Sequence, residues 1–189
     1  MVAKNIDRPY SFVCLTDYPD EMPNGVEAIP IVHSKSLKGW WAKINLFRPG
    51  LFTGRVLYLD LDVLIVSPLS EIIDFPARMA LVPDGAPNFN GHGALKTVHR
   101  YNSSVMVWEA GVADKIFENW TPAVAERLWG DQDFIGEQMP AEQAMPAEWF
   151  PRISQVRPPW PSSAKVVLVK KPKNHLAAEQ WPWFDEMWG

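Results

Sequence analysis

The chain has 189 residues, the length of one domain, and 47% hydrophobic with 21% charged residues is enough apolar material for a real core. A net charge of −4 excludes global attraction to nucleic acid or to an anionic membrane surface, so any anionic ligand must be held by local charge or by a metal. The one cysteine, Cys14, excludes an intrachain disulfide, and no apolar run approaches the roughly 20 residues of a membrane span. One domain over 1–189 is expected, and a cytoplasmic location, because residues 1–10 lack the apolar stretch of a secretory leader.

In chain order, 12–15 (Phe-Val-Cys-Leu) predicts a short buried strand with Cys14 as a small core residue, closed by the turn signal Pro19-Asp20. Residues 26–32 predict a second extended run. The stretch 36–47 predicts a helix with Trp40, Ile44 and Phe47 on one face, stopped by Pro49-Gly50. Residues 55–59 are the clearest strand: Val56, Leu57, Tyr58 and Leu59 are consecutive and apolar, as suits a strand buried on both faces. It leads into Asp60-Leu61-Asp62 and then a second apolar run, 63–66. A short helical turn is expected near Pro68-Leu69-Ser70, a strand at 79–82, loop at 86–93 and a strand at 103–108. Helix is expected over 112–129 with a break at Pro122, and again from Asp131. A proline-rich wrap over 138–163 and a last strand at 165–169 complete the reading. Strands alternating with helices predict an α/β fold with a mostly parallel central sheet flanked by helices.

The carboxylates carry the chemistry. Aspartates at i and i+2 of a strand point to one side, and two such charges repel unless a cation sits between them. Hard carboxylate oxygens at the carboxyl edge of a buried strand suit Mg²⁺ or Mn²⁺, with open positions left for phosphate oxygens. A solvated strand end is the plain alternative for any lone Asp-x-Asp. Phosphoaspartate hydrolases also end a first strand in Asp-x-Asp, with one aspartate as nucleophile; there the fifth position is Thr or Val, and here it is Leu64. The ten tryptophans suit core packing, or flat platforms for sugar rings.

Four blocks in order carry a resemblance: Gly39-Trp40-Trp41-Ala42-Lys43-Ile44, Arg55-Val56-Leu57-Tyr58-Leu59-Asp60-Leu61-Asp62, Tyr101-Asn102-Ser103-Ser104-Val105-Met106 and Gly130-Asp131-Gln132-Asp133. Together, over roughly 12–175, the chain resembles the GT-A glycosyltransferases, nearest the glycogenin-like and bacterial galactosyltransferase branch. The resemblance implies the nucleotide-diphospho-sugar transferase fold and an enzyme that moves a sugar from a nucleotide-diphosphate donor to a carbohydrate or other hydroxyl acceptor. It implies that Asp60 and Asp62 bind Mn²⁺ or Mg²⁺ and the donor's ribose and diphosphate. Lys43 and Asn102 would reach the donor sugar, Asp131 and Gln132 would lie on its reaction side, and Lys173 would grip the diphosphate. Read without the resemblance, Lys43 could be a solvated surface lysine, Asn102 a turn residue and Asp131 a helix N-cap.

Three departures from the family pattern shape further expectations. Only about eleven residues precede the strand at 12–15, where the family has an earlier strand and helix, so the sheet is expected to lack a strand there and to leave backbone groups unpaired. Where the family carries a metal-binding His near the C-terminus this chain has Val169, with His175 as the candidate substitute or a surface residue. Lys170, Lys171 and Lys173 form a basic cluster that could supply positive charge in its place, or a solvated basic segment. A non-catalytic remnant that binds a sugar or a partner is the alternative function.

Overall fold

A computed structural model describes residues 1–32, 37–84, 87–89, 95–98, 101–139 and 143–169. The chain opens with α1 (Val2–Asn5), then β1 (Val13–Thr16) and β2 (Glu27–Pro30), which pair in parallel. Gly39–Phe47 follows as a 3₁₀ helix, and then β3 (Arg55–Leu59), β4 (Val63–Ile65), α2 (Ser70–Ile73) and β5 (Met79–Pro83). β6 (Pro87–Phe89) and β7 (Leu95–Val98) form an antiparallel pair in a stretch whose start the sequence reads as loop. The long β8 (Tyr101–Glu109), α3 (Lys115–Glu118), α4 (Pro122–Arg127) and α5 (Asp131–Gln138) come next, and β9 (Gln143–Ala144) and β10 (Val166–Leu168) close the described chain.

The α/β class holds, with helices packed around sheets. The expectation of mostly parallel pairing is corrected. In the largest sheet, ordered β3-β8-β5-β9, β8 runs antiparallel to both β3 and β5, and only β5–β9 is parallel. β4 and β10 also pair antiparallel. The period of two along a strand fixes which side chains are buried but not the direction of the neighbour.

The 39–47 segment shows how local winding decides burial. The spacing 40, 44, 47 predicts one α-helical face, but a 3₁₀ helix repeats every three residues. Trp41, Ile44 and Phe47 therefore share the inner face, while Trp40 is 56% exposed. Buried Asn45 locks this segment to the chain before it: Oδ1 accepts the Val32 N–H at 2.9 Å, and Nδ2 donates to the Ala42 carbonyl at 3.0 Å. Pro122 starts α4 at a first-turn position, where its missing N–H leaves no bond unmade, so the expected break is the start of a helix.

Two apolar clusters sandwich the main sheet. One joins the 3₁₀ segment, α3 and α5 to one face through Ile44, Phe47, Ile116, Phe134 and Met106. The other joins β4, α2 and β10 to the opposite face through Leu69, Ile72, Val105, Val107 and Val166. Among the described residues β1 pairs only with β2, and β3 only with β8. A cavity of about 1870 Å³ runs between β1 and β3, lined in unbroken sequence by Arg55 to Leu61 and by Arg8 to Leu15. β3, which the sequence predicts to be buried on both faces, is half-exposed throughout, and so is Cys14. The gap anticipated beside 12–15 is thus open.

Candidate functional site

Asp60 follows the last residue of β3, and its N–H donates to the Ser104 carbonyl of β8 at 2.8 Å, which fixes the backbone at the strand's carboxyl end. Two donors converge on its Oδ1: the Tyr58 hydroxyl at 2.6 Å and Lys43 Nζ at 2.9 Å. Lys43 comes from the 3₁₀ segment and also donates to Ser103 Oγ at 3.0 Å and to the Ser103 carbonyl at 3.2 Å. The Ser103 hydroxyl, accepting from Lys43, donates onward to Asp131 Oδ2 at 2.6 Å, and Lys43 Nζ lies 3.5 Å from that oxygen. The ammonium also sits 5.2 Å from the centroid of the Tyr58 ring, a cation–π distance. Four segments far apart in sequence thus meet in one charge-assisted network.

Local structure explains why these side chains meet. The pairing of β5 with β8 shifts register: Leu81 faces Met106, whereas Val82 faces Asn102, so β8 bulges in between. A bulge re-aims side chains and bends the strand. Asn102 stabilises this one by accepting the Ser104 N–H on Oδ1 at 2.8 Å, and Ser103 beside it is turned into the network. Asp131 occupies the first position of α5, where the helix dipole favours an anion. Its side chain is only 9% exposed, so its contacts to Ser103 and Lys43 offset the cost of burying a carboxylate.

Tyr58 reports the local field. Burial raises the pKa of its hydroxyl, and the charges of Asp60, Asp131 and Asp62 push in the same direction. Three carboxylates therefore act on a pocket in which Lys43 contacts two of them.

Of the residues the sequence points to, Lys43, Asp60 and Asp131 are in direct contact. Asn102 flanks them on β8, and Gln132 follows Asp131 on α5, half-buried. Asp62 needs a correction. It is not on a strand with Asp60: Leu61 and Asp62 form the turn into β4, Leu61 is 89% exposed, and strand alternation does not set the direction of Asp62. The Asp62 carbonyl instead accepts the Val169 N–H at 3.2 Å, which brings the end of β10 beside it. The Val169 side chain is buried with Leu64 and Val167. Lys170, Lys171, Lys173, His175 and the tryptophan-rich tail lie outside the described residues. Among the described residues, no group of three or more His, Cys, Asp and Glu side chains is arranged to hold a metal.

Sequence reasoning missed Tyr58 and Ser103. Tyr58 reads as one more apolar residue of a buried strand, and Ser103 as the polar start of another. The available signal was a hydroxyl within each run: a buried hydroxyl seeks a partner, and the nearest strand end carries Asp60.

Fold and site together place the chain structurally. It aligns with the galactosyltransferase LgtC in complex with donor and acceptor sugar analogs at a TM-score of 0.68, with 14% identity over 98% of this chain and 88% of that one. An active-site Gln-to-Glu mutant of LgtC gives 0.68 and 14% over 100% and 89%, and the glycosyltransferase GlyE of Streptococcus pneumoniae gives 0.55 and 14% over 80% and 43%. No protein-family model matches the sequence, and no curated protein does. At this identity the likeness establishes the fold alone: the chain has an α/β fold of the GT-A type. No helix among the described residues is long and apolar enough to cross a membrane.

Proposed function

We propose that the protein transfers a sugar from a nucleotide-diphosphate donor to an acceptor hydroxyl, with a divalent ion bound at Asp60 and Asp62. The observation that carries this reading is the Asp60–Lys43–Ser103–Asp131 network, which joins an acidic strand end to a second, buried carboxylate on a glycosyltransferase fold.

The residues fit a hard cation. The described contacts to the Asp60 carboxylate fall on Oδ1, and Asp60 and Asp62 offer hard oxygen ligands, with the rest of the coordination left to other groups. Mn²⁺ or Mg²⁺ would be held by Asp60 and Asp62, with remaining ligands from the donor phosphates, water or His175. When bound it would stabilise charge on the departing diphosphate. Lys43 bridges Asp60 and Asp131 and fixes their separation. Ser103 orients Asp131 toward the donor sugar, with Gln132 next to it on α5; a neighbour's active-site Gln-to-Glu mutant is consistent with a glutamine acting in this fold. Asn102 would contact the sugar, and Lys173 would grip the diphosphate. In the transfer, the bond from the sugar's anomeric carbon to the diphosphate oxygen breaks, one to the acceptor oxygen forms, and the acceptor's hydroxyl proton passes to the departing diphosphate.

A phosphoaspartate hydrolase needs its first aspartate free to attack phosphate, and here Asp60 is held by Tyr58 and Lys43 on a different fold. Calorimetry with uridine diphosphate in the presence and absence of Mn²⁺ tests the proposal. Binding should depend on the metal and weaken at least about tenfold, or about 1.4 kcal/mol, in Asp62→Ala. Failure of the intact chain to show metal-linked binding would favour a non-catalytic sugar- or partner-binding module.

A further inference from the structure

Six large apolar side chains are exposed among the described residues, and three of them adjoin the Asp60–Lys43–Asp131 network in sequence. Trp40 lies three residues before Lys43, Leu61 next to Asp60, and Trp129 two residues before Asp131. Exposed apolar residues scattered singly need no explanation, but their gathering at a charged site marks a surface that another molecule covers.

Trp40 is the best placed of the three. In a 3₁₀ helix side chains three apart lie one above the other, so Trp40, Lys43 and Leu46 form one row. All three line the cavity beside β3, while Trp41, Ile44 and Phe47 form the row turned to the core. Trp40 therefore borders the cavity one turn, about 6 Å along the helix axis, from the lysine that bridges Asp60 and Asp131. The neighbouring Trp41 already packs on Trp120 in the core, with centroids 4.6 Å apart, so the second indole is not needed as core mass.

Trp129 supports that indole from behind. The rings of Trp40 and Trp129 stack with centroids 5.6 Å apart and planes 21° apart, and Trp129 does not line the cavity. The stack covers one face of Trp40 and leaves the ring bordering open space. Trp129 runs through Gly130 into Asp131, so the stack also ties the platform to the start of α5.

The surroundings select what lies on it. A flat apolar face beside polar groups suits a ligand with one apolar face and a polar edge. Asp60, Lys43 and Asp131 together carry a net negative charge, which repels an anion and accepts from hydroxyl groups. A pyranose ring meets both demands, with its C–H face on the indole and its hydroxyls toward the carboxylates. A nucleobase is also flat, but a nucleotide brings phosphates that this corner repels unless a cation is bound. Two indoles, about 150–250 Å² each, fall short of the roughly 800 Å² per side of a protein interface.

We propose that Trp40, backed by Trp129, is a stacking platform for the pyranose ring of a neutral saccharide. Naming that saccharide as the acceptor rests on the sugar transfer proposed above, and makes the acceptor a carbohydrate; the platform itself does not rest on it.

The indole N–H signals of the nitrogen-labelled chain test this, with lactose, cellobiose and maltose as probes and a chelator present throughout. The Trp40 signal is identified by its absence from Trp40→Phe. At least one disaccharide should move it saturably at concentrations up to tens of millimolar. Binding to the variants is read on the sugar's own proton signals. Trp40→Ala should weaken it about tenfold or more, Trp129→Ala less, and Trp40→Phe least, because phenylalanine keeps a flat face. Trp40 is exposed, so Trp40→Ala should unfold within a few degrees of the unsubstituted chain. The platform is overturned if none of the three sugars moves the Trp40 signal, or if Trp40→Ala binds as tightly as the unsubstituted chain. It is equally overturned if uridine diphosphate moves that signal and the sugars do not. Saccharide binding at Trp40 in a chain with no metal-linked binding of uridine diphosphate would uphold the platform and end the transfer reading.

Discussion

β3 and β5 flank the same strand, β8, and both are short apolar runs, Val56-Leu57-Tyr58-Leu59 and Met79-Ala80-Leu81-Val82. On β5 all four of these residues are buried; on β3 none is. β5 has β8 on one side and β9 on the other, whereas the second edge of β3 borders the cavity. An apolar run therefore measures how much burial a strand can use, and the neighbours decide how much it gets. β3 is held instead by polar contacts at its two ends. The Arg55 guanidinium donates to the carbonyls of Ile73, Phe75 and Ala77 at 3.0, 2.7 and 2.6 Å, and Asp60 is tied into the Lys43 network.

Removing the end anchor gives the largest expected effect. Lys43→Met takes the ammonium away from Asp60 and Asp131 and leaves those carboxylates poorly compensated. It should lower unfolding free energy by about 3–5 kcal/mol in urea denaturation. A loss below about 1 kcal/mol would mean that the network does not hold β3 in place. Next comes a direct test of the two flanks. Leu81→Ala removes a fully buried side chain and should cost about 2–5 kcal/mol, while Leu57→Ala, facing a partly open slot, should cost less than half as much. Equal losses would show that the slot is closed in solution.

The smallest effect lies in alkaline titration. Because its burial and three carboxylates raise the Tyr58 pKa in the folded chain, its neutral form is favoured by folding. The stability this gives is fully present below the ordinary tyrosine value of about 10 and is lost as pH rises above it. Of the four tyrosines, at least one should fail to ionise in the native chain until it unfolds, and that delayed tyrosine should be missing from Tyr58→Phe.

The parts of the fold legible in the sequence are those set by local chemistry. The apolar run ending at Asp60, the short strands near 79 and 166 and the helix opened by Asp131 follow from burial pattern and turn residues. What escaped depends on partners. The 3₁₀ winding that turns Trp40 outward is a difference of a fraction of a residue per turn, which a nine-residue apolar-rich segment does not encode. There the exposed ring stacks on Trp129, with centroids 5.6 Å apart, instead of entering the core. The turn at Leu61-Asp62 escaped because β4 leaves the main sheet to pair with β10, more than ninety residues later. The site was legible as charged residues, Lys43, Asp60 and Asp131, but its connecting hydroxyls on Tyr58 and Ser103 were hidden inside ordinary strand sequence.

The grip of Arg55 on three carbonyls has a consequence for which residues that position tolerates. Those oxygens belong to the last residue of α2 and the bend after it, where the Phe75 carbonyl also accepts the Ala77 N–H at 2.7 Å. A flat five-donor group reaches them in one plane, whereas lysine's compact ammonium, though equally charged, cannot span all three. At this position shape selects the amino acid, and conservation of charge alone would leave the bend without its keystone.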